Sequence, residues 1–342
     1  MLTQTDTLPE RFLDVPATQL HTILPGPALI HLPGMRTPAL FVSVLLHGNE
    51  PTGLLAIQAL LRRYYDRPLP RALSIFVGNV AAARHALRRL DHQPDYNRIW
   101  LGGDTPEHGM MQQILAVMRS RGTFASIDIH NNTGRNPHYA CVNRLEHPFL
   151  HLASLFGRTV VYFIKPSGVQ TAAFAALCPA VTIECGQPGE PHGVKHACEF
   201  IDACLHLHEI PTHPVVAGDI DLFHTVAVVR VPRDVSFSFG AGSTDIQFVT
   251  NLDQLNFLEL PAGTRVASFT RREAARLEIQ DEQGREVNER YFSFDNNEIC
   301  TRTAIMPSML SLDAQVIRQD CLCYLMERLP SPESGRAGAR SQ

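Results

Sequence analysis

No stretch of this chain approaches the roughly 18 uninterrupted apolar residues of a membrane-spanning helix. Its opening, MLTQTDTLPERF, has no basic region followed by an apolar one. A cytoplasmic protein with no membrane partner is the expectation. Nor is there a basic run of the kind that tracks a phosphate backbone, because the net charge of -4 comes from acids and bases spread along all 342 residues. Nucleic acid is not an expected partner. The chain lacks a GxSxG elbow, a P-loop, and a dinucleotide fingerprint following a strand, which counts against serine-hydrolase and nucleotide-driven chemistry. Its eight cysteines lack the framework spacing of a small secreted domain, so reduced, buried thiols are expected. No internal repeat is present.

What the chain does have is apolar material. At 44% hydrophobic residues it can bury one large α/β domain and a smaller one. From about residue 28 to 210, short apolar runs alternate with segments of helical period, the pattern of a sheet covered by helices. PALFVSVLL reads as a strand ending at His47, followed by a helix with Leu54, Ile57 and Leu61 on one side. RALSIFVGN, FASIDIH, TVVYFIK and AVTIEC read as further strands, with helices at MMQQILAVMRSR and VKHACEFIDACLHLHEI. After Pro211 the runs become short and alternating, separated by Gly, Pro and Asp, as in a small β-rich domain. The expected division is 1–210 for a catalytic α/β domain, 211–330 for the β-rich domain, and 331–342 for a frayed tail without large apolar residues.

LLHGNEPTG carries the strongest chemical signal. A strand runs into a glycine turn and delivers His47 and Glu50 ahead of a helix. Imidazole nitrogen and carboxylate oxygen both suit zinc, and a catalytic zinc takes three protein ligands with the fourth position left for water. IDIHNNTG supplies the third ligand as His130, at the end of another strand, where open α/β sheets place their ligand-binding residues. Asp128 projects to the same face as His130 and is a candidate to hydrogen-bond a ligand imidazole. A zinc-bound water needs a proton acceptor, and AVTIECG places Glu184 at a third strand end. An acid there is costly unless its charge is used or paired. One zinc per chain is expected, although a His, Glu, His site also accepts cobalt or manganese.

Together these residues resemble the succinylglutamate desuccinylase/aspartoacylase family, a branch of the zinc carboxypeptidase superfamily. The matching pieces are HGNEPTG, the GN of Gly78 and Asn79, DYNR at Asp95 to Arg98, DIHNNTG and IECG, in the family's order across most of residues 40 to 190. The resemblance implies a zinc-carboxypeptidase-like mixed sheet flanked by helices, with a smaller C-terminal β-rich domain that shapes the substrate entrance. It also implies hydrolysis of the amide that joins an acyl group to an amino acid. Asn97 and Arg98 would bind a substrate carboxylate, for which a guanidinium offers a planar fork of donors. Arg89 would stabilise the developing oxyanion, with adjacent Arg88 the alternative. Arg135 and Lys165 are further anion contacts to weigh against a surface role. Where aspartoacylases carry an arginine shortly before the base, this chain has Phe174, which counts against N-acetylaspartate as substrate.

Two other readings stay open at this point: a metallocarboxypeptidase acting on a short peptide, and a non-catalytic metal-binding module. A scaffold has no use for Glu184, which favours an enzyme. His206, His208 and His213 read as structural, since residues two apart on a helix point away from each other. Cys321 and Cys323 read the same way. Homo-oligomerisation is left open.

Overall fold

The computed structural model describes residues 2–216, 218–271, 273 and 276–330. The expected tail at 331–342 lies outside the described residues. The chain divides into two compact units, one holding the residues up to Asn131 and His138–Leu222, the other Asn132–Pro137 and Phe223–Leu329.

In the first unit, strands β1 (Thr3–Thr5), β2 (Ala28–Leu32), β3 (Ala39–Val44), β4 (Leu73–Val77), β5 (Thr123–His130), β6 (Tyr139–Val142), β7 (Thr159–Tyr162) and β8 (Ala180–Glu184) lie in the order β1-β2-β4-β3-β5-β8-β6-β7. The sheet is mixed. The central pairs β4–β3, β3–β5 and β5–β8 are parallel, whereas β2–β4 and β8–β6 are antiparallel. Parallel strands buried on both faces read as continuous apolar runs rather than alternating ones, which is why LSIFV of β4 is buried throughout.

Helices α1 (Thr52–Arg63), α2 (Val80–Ala83), α3 (Pro106–Arg121), α4 (His147–Phe156), α5 (Gln170–Phe174) and α6 (Pro191–His206) complete the unit. Helix α1 packs on β3 and β5, with Val44 and Ile129 meeting its Gly53, and α6 packs on α1. Side chains alternate along a strand, so Phe41, three residues before Val44, faces the other way. There Phe174 of α5 stacks on Phe41 at 4.3 Å, and Trp100 meets Phe174 edge-on. Both faces of the sheet are thus covered. Phe174, the residue noted above, is a fully buried member of this core. All eight cysteines are free thiols, seven of them buried.

The second unit is built on β9 (Asp221–Arg230), β10 (Phe237–Phe239), β11 (Ile246–Phe248), β12 (Arg265–Phe269), β13 (Glu278–Asp281), β14 (Phe292–Asp295), β15 (Glu298–Thr301), β16 (Met306–Ser308) and β17 (Cys323–Arg328). Strand β9 pairs antiparallel with β13 and β17, and β17 with β16. A separate five-stranded sheet runs β10-β11-β12-β15-β14. Val229, Phe248, Ile279, Ile299 and Leu325 belong to one apolar core. Asn132–Pro137 joins this unit through local polar contacts: Asn136 accepts from the Met309 backbone, and Arg135 pairs with Asp253 at 3.3 Å.

Candidate metal and catalytic site

Three strand ends converge. Strand β3 stops at Val44, and Leu45 takes a left-handed conformation (φ 54°), a strained state for a branched residue that turns the chain toward His47. Gly48 follows; a Cβ there would sit 2.2 Å from the Ala83 backbone nitrogen, so only glycine lets this turn lie against α2. Glu50 comes next, just before α1. Strand β5 ends at His130 and β8 at Glu184, and these two are direct partners in the parallel register, with Asp128 opposite Thr182 one pleat back. Neighbours in register share a face. His47, Glu50, Asp128, His130 and Glu184 are each no more than 9% exposed.

Glu50 bridges the two histidines. Its Oε1 is 2.8 Å from His47 Nδ1 and its Oε2 is 2.7 Å from His130 Nδ1, while the Asn131 backbone donates to Oε2. The outer ring nitrogens are held by aspartates, His47 Nε2 by Asp95 at 2.9 Å and His130 Nε2 by Asp128 at 2.8 Å. Asp128 is anchored by the Ser43 hydroxyl and Asp95 by Arg88. Ionised carboxylates only accept. Each Nε2 therefore carries the hydrogen, and in neutral rings both Nδ1 lone pairs face the Glu50 oxygens. Ligand atoms of His47, Glu50 and His130 lie within 4.8 Å of one another. Acceptors that converge in this way repel unless a proton or a cation sits among them, so the donor set fits a divalent metal of the zinc type, with Asp95 and Asp128 as the outer partners that metal-bound histidines usually have.

The charges agree. Burial opposes ionisation of Glu50, yet His47 and His130 outweigh it and hold the carboxyl well below the usual range. Burial works against a charged His130, but Asp128 and Glu50 raise its pKa well above the ordinary value. The surroundings thus favour positive charge at this point. Glu184 moves the other way: burial pushes its carboxyl up to about 7, with His130 opposing and Glu50 and Asp128 reinforcing. A carboxyl poised near neutrality is suited to taking and returning a proton.

Residues 36–203 match the model of the Succinylglutamate desuccinylase/Aspartoacylase catalytic domain. The chain belongs to this family. Its members are hydrolases, and the buried His47, Glu50 and His130 are the candidate metal site in this one. The fold agrees with solved structures. The succinylglutamate desuccinylase from Chromobacterium violaceum superposes with a TM-score of 0.57 at 15% identity, covering 86% of each chain. Murine aminoacylase 3 gives 0.56 at 16% identity, covering 86% of this chain and 97% of its own. The product-bound ectoine utilization protein EutE (DoeB) from Ruegeria pomeroyi gives 0.57 at 15%, covering 88% of each. A search of curated proteins finds no match.

Around the family's motif residues the structure makes choices that the sequence leaves open. Arg88 turns inward, with Nη1 3.7 Å from Glu50 Oε1 and Nη2 2.9 Å from Asp95 Oδ2. Arg89 instead donates to the Gln93 carbonyl within its own loop. Asn79 caps α2 and donates to Gln93, bracing that loop. Asn97 is buried: its Oδ1 accepts from the Gln170 backbone, and its Nδ2 lies 3.1 Å from His130 Nε2. Arg98 is half-buried, with Nη1 donating to the Asn97 carbonyl. Arg135 is mostly exposed and paired with Asp253, and Lys165 is exposed. Asp95 appears in the sequence only as part of DYNR, although here it holds a candidate ligand. Its separation from His47 hides that pairing.

Proposed function

We propose that the chain is a zinc-dependent hydrolase that cleaves the amide bond of an N-acyl amino acid, with Glu184 as its general base. The observation that carries this reading is the convergence of His47, Glu50 and His130, with Glu184 the register partner of His130. Succinylglutamate desuccinylase and aminoacylase, the names of the similar structures, point to the same substrate class.

His47, Glu50 and His130 would hold the zinc, which when bound would supply a Lewis acid for the amide carbonyl and lower the pKa of a water. Asp95 and Asp128 keep both imidazoles in the tautomer whose Nδ1 is open for binding. Glu184 removes a proton from the attacking water as its oxygen bonds to the carbonyl carbon. It then delivers that proton to the departing nitrogen as the C–N bond breaks, leaving a carboxylic acid and an amine. The Arg88 guanidinium, facing the site beside Glu50, steadies the developing negative oxygen. This assigns to Arg88 the role that the sequence reading gives to Arg89. Arg98 binds the carboxylate of the amino acid, and Asn97, itself held by the Gln170 backbone, offers its carbonyl to the Arg98 guanidinium and helps to position it. Because Phe174 is stacked in the core, no cation stands at its position for a second substrate carboxylate. A monocarboxylate amino-acid portion or a neutral acyl group suits the site better than N-acetylaspartate. We place the reaction in the cytoplasm.

The test is release of free amino acid from a panel of N-acyl amino acids and dipeptides. Turnover of the acyl amino acids is expected. Cleavage restricted to dipeptides would replace this reading with a peptidase.

A further inference from the structure

A second cluster of imidazoles and a carboxylate gathers in the first unit, outside the ligand set described above. His138 lies just before β6, and Glu190 is the residue that leads into α6. His192 and His196 follow on that helix, four apart and so on one face. The His138 ring is nearly parallel to both, 5.0 Å from His192 at 10° and 5.1 Å from His196 at 18°.

His138 Nδ1 is 2.8 Å from His196 Nδ1, so one of the two carries the hydrogen. With that hydrogen on His138, its Nε2 is a bare lone pair. This Nε2 is buried and has no hydrogen-bond partner among the described residues. It faces Glu190: a Cβ on Gly186 would sit 3.0 Å from His138 Nε2 and 2.8 Å from Glu190 Oε2, so glycine keeps the space between the two open. Glu190 Oε2 is in turn 3.7 Å from His192 Nε2. Ligand atoms of His138, Glu190 and His192 all lie within 4.8 Å of one another.

We propose that His138, Glu190 and His192 form a second divalent-metal site of the zinc type, with His196 orienting His138. Two imidazoles and a carboxylate form a zinc set that leaves a place for water. Burial and the neighbouring His196 and His192 disfavour a proton on His138, and a ligand imidazole must be neutral. Zinc–nitrogen bonds of about 2.0–2.1 Å require the three atoms to draw together. Glu190 and His192, whose side chains are 39% and 69% exposed, have room to do so. Ion binding would tie the first turn of α6 to the start of β6 across the loop that follows Glu184. The exposure of two ligands makes this the weaker of the two sites.

The test is zinc per chain at equilibrium with micromolar free zinc, for the wild-type full chain and for His192→Gln and Glu190→Gln. His192 is exposed, and Glu190→Gln keeps an amide oxygen to accept from the Gln187 backbone, so the fold is expected to persist, which circular dichroism checks. Each variant is expected to hold one zinc fewer than wild type, whatever the total. That difference does not depend on whether the His47 site is loaded, so failure of one site is distinguishable from failure of the other. Equal zinc in wild type and both variants would overturn the proposal. Added zinc is also expected to slow amide exchange over residues 186–192, and unchanged exchange would contradict it.

Discussion

Glu184 and His130 end adjacent parallel strands as direct register partners, so the sheet itself places a carboxyl beside a candidate metal ligand. A one-residue slip of β8 would turn Glu184 to the other face. The position of Glu184 therefore depends on the core pairing of β5 and β8, not on a loop.

Glu184→Gln keeps the volume and removes the proton acceptor. Metal content is expected to stay unchanged while kcat falls by about 10²–10⁴-fold, the usual contribution of a general base. Steady-state kinetics beside metal analysis checks this, and near-wild-type kcat would remove Glu184 from the chemistry.

Arg88 and Arg89 separate cleanly. Arg88→Ala is expected to lower kcat by about 10²–10³-fold, as when an oxyanion donor is lost. Arg89→Ala, which loses a contact to the Gln93 carbonyl, should leave kcat within a few-fold of wild type. The reverse order would restore the sequence reading.

Arg98→Ala is expected to raise KM more than it lowers kcat, because a carboxylate clamp binds ground and transition states alike. Loss of a charge-assisted hydrogen bond of about 1.5–3 kcal/mol corresponds to roughly 10–100-fold in KM. A substrate in which the carboxylate is amidated should show the same penalty with the wild-type enzyme and no further loss with the variant.

Asp95→Asn weakens the acceptor that holds His47 Nε2. Zinc affinity is expected to drop about 10–100-fold, as for other outer partners of metal-bound histidines. Competition with a fluorescent chelator reads this without relying on turnover.

Phe174→Ala empties a stacked position against Phe41 and Trp100. The expected cost is about 3–5 kcal/mol of stability, measured by denaturant unfolding. A negligible cost would mean that Phe174 is not part of the core.

His130, Glu184 and the His47–Glu50 turn are legible in the sequence because His47, His130 and Glu184 each close an apolar run, with Glu50 three residues beyond the first, and such a placement has few uses other than a site. The mixed sheet is legible for the same reason: its strands are continuous apolar stretches. Other features need the third dimension. Arg88 and Arg89 are neighbours in a polar loop, and only the anchoring of that loop, with the Gly48 backbone donating to the Arg88 carbonyl, decides which one turns inward. Strand β6 is four residues long and α5 only five, too short for any periodicity, yet α5 supplies the backbone donor that holds Asn97. The histidines of α6 look like scattered polar residues until His138 is brought against them.

The central claim is tested most directly by zinc content paired with turnover, before and after chelation, in wild type and His47→Ala. The expected result is a tightly held zinc in wild type that is absent in His47→Ala. Amino-acid release should be abolished by the chelator and restored by added zinc. Undiminished release from metal-free protein, or equal tightly held zinc in both proteins, would contradict the account.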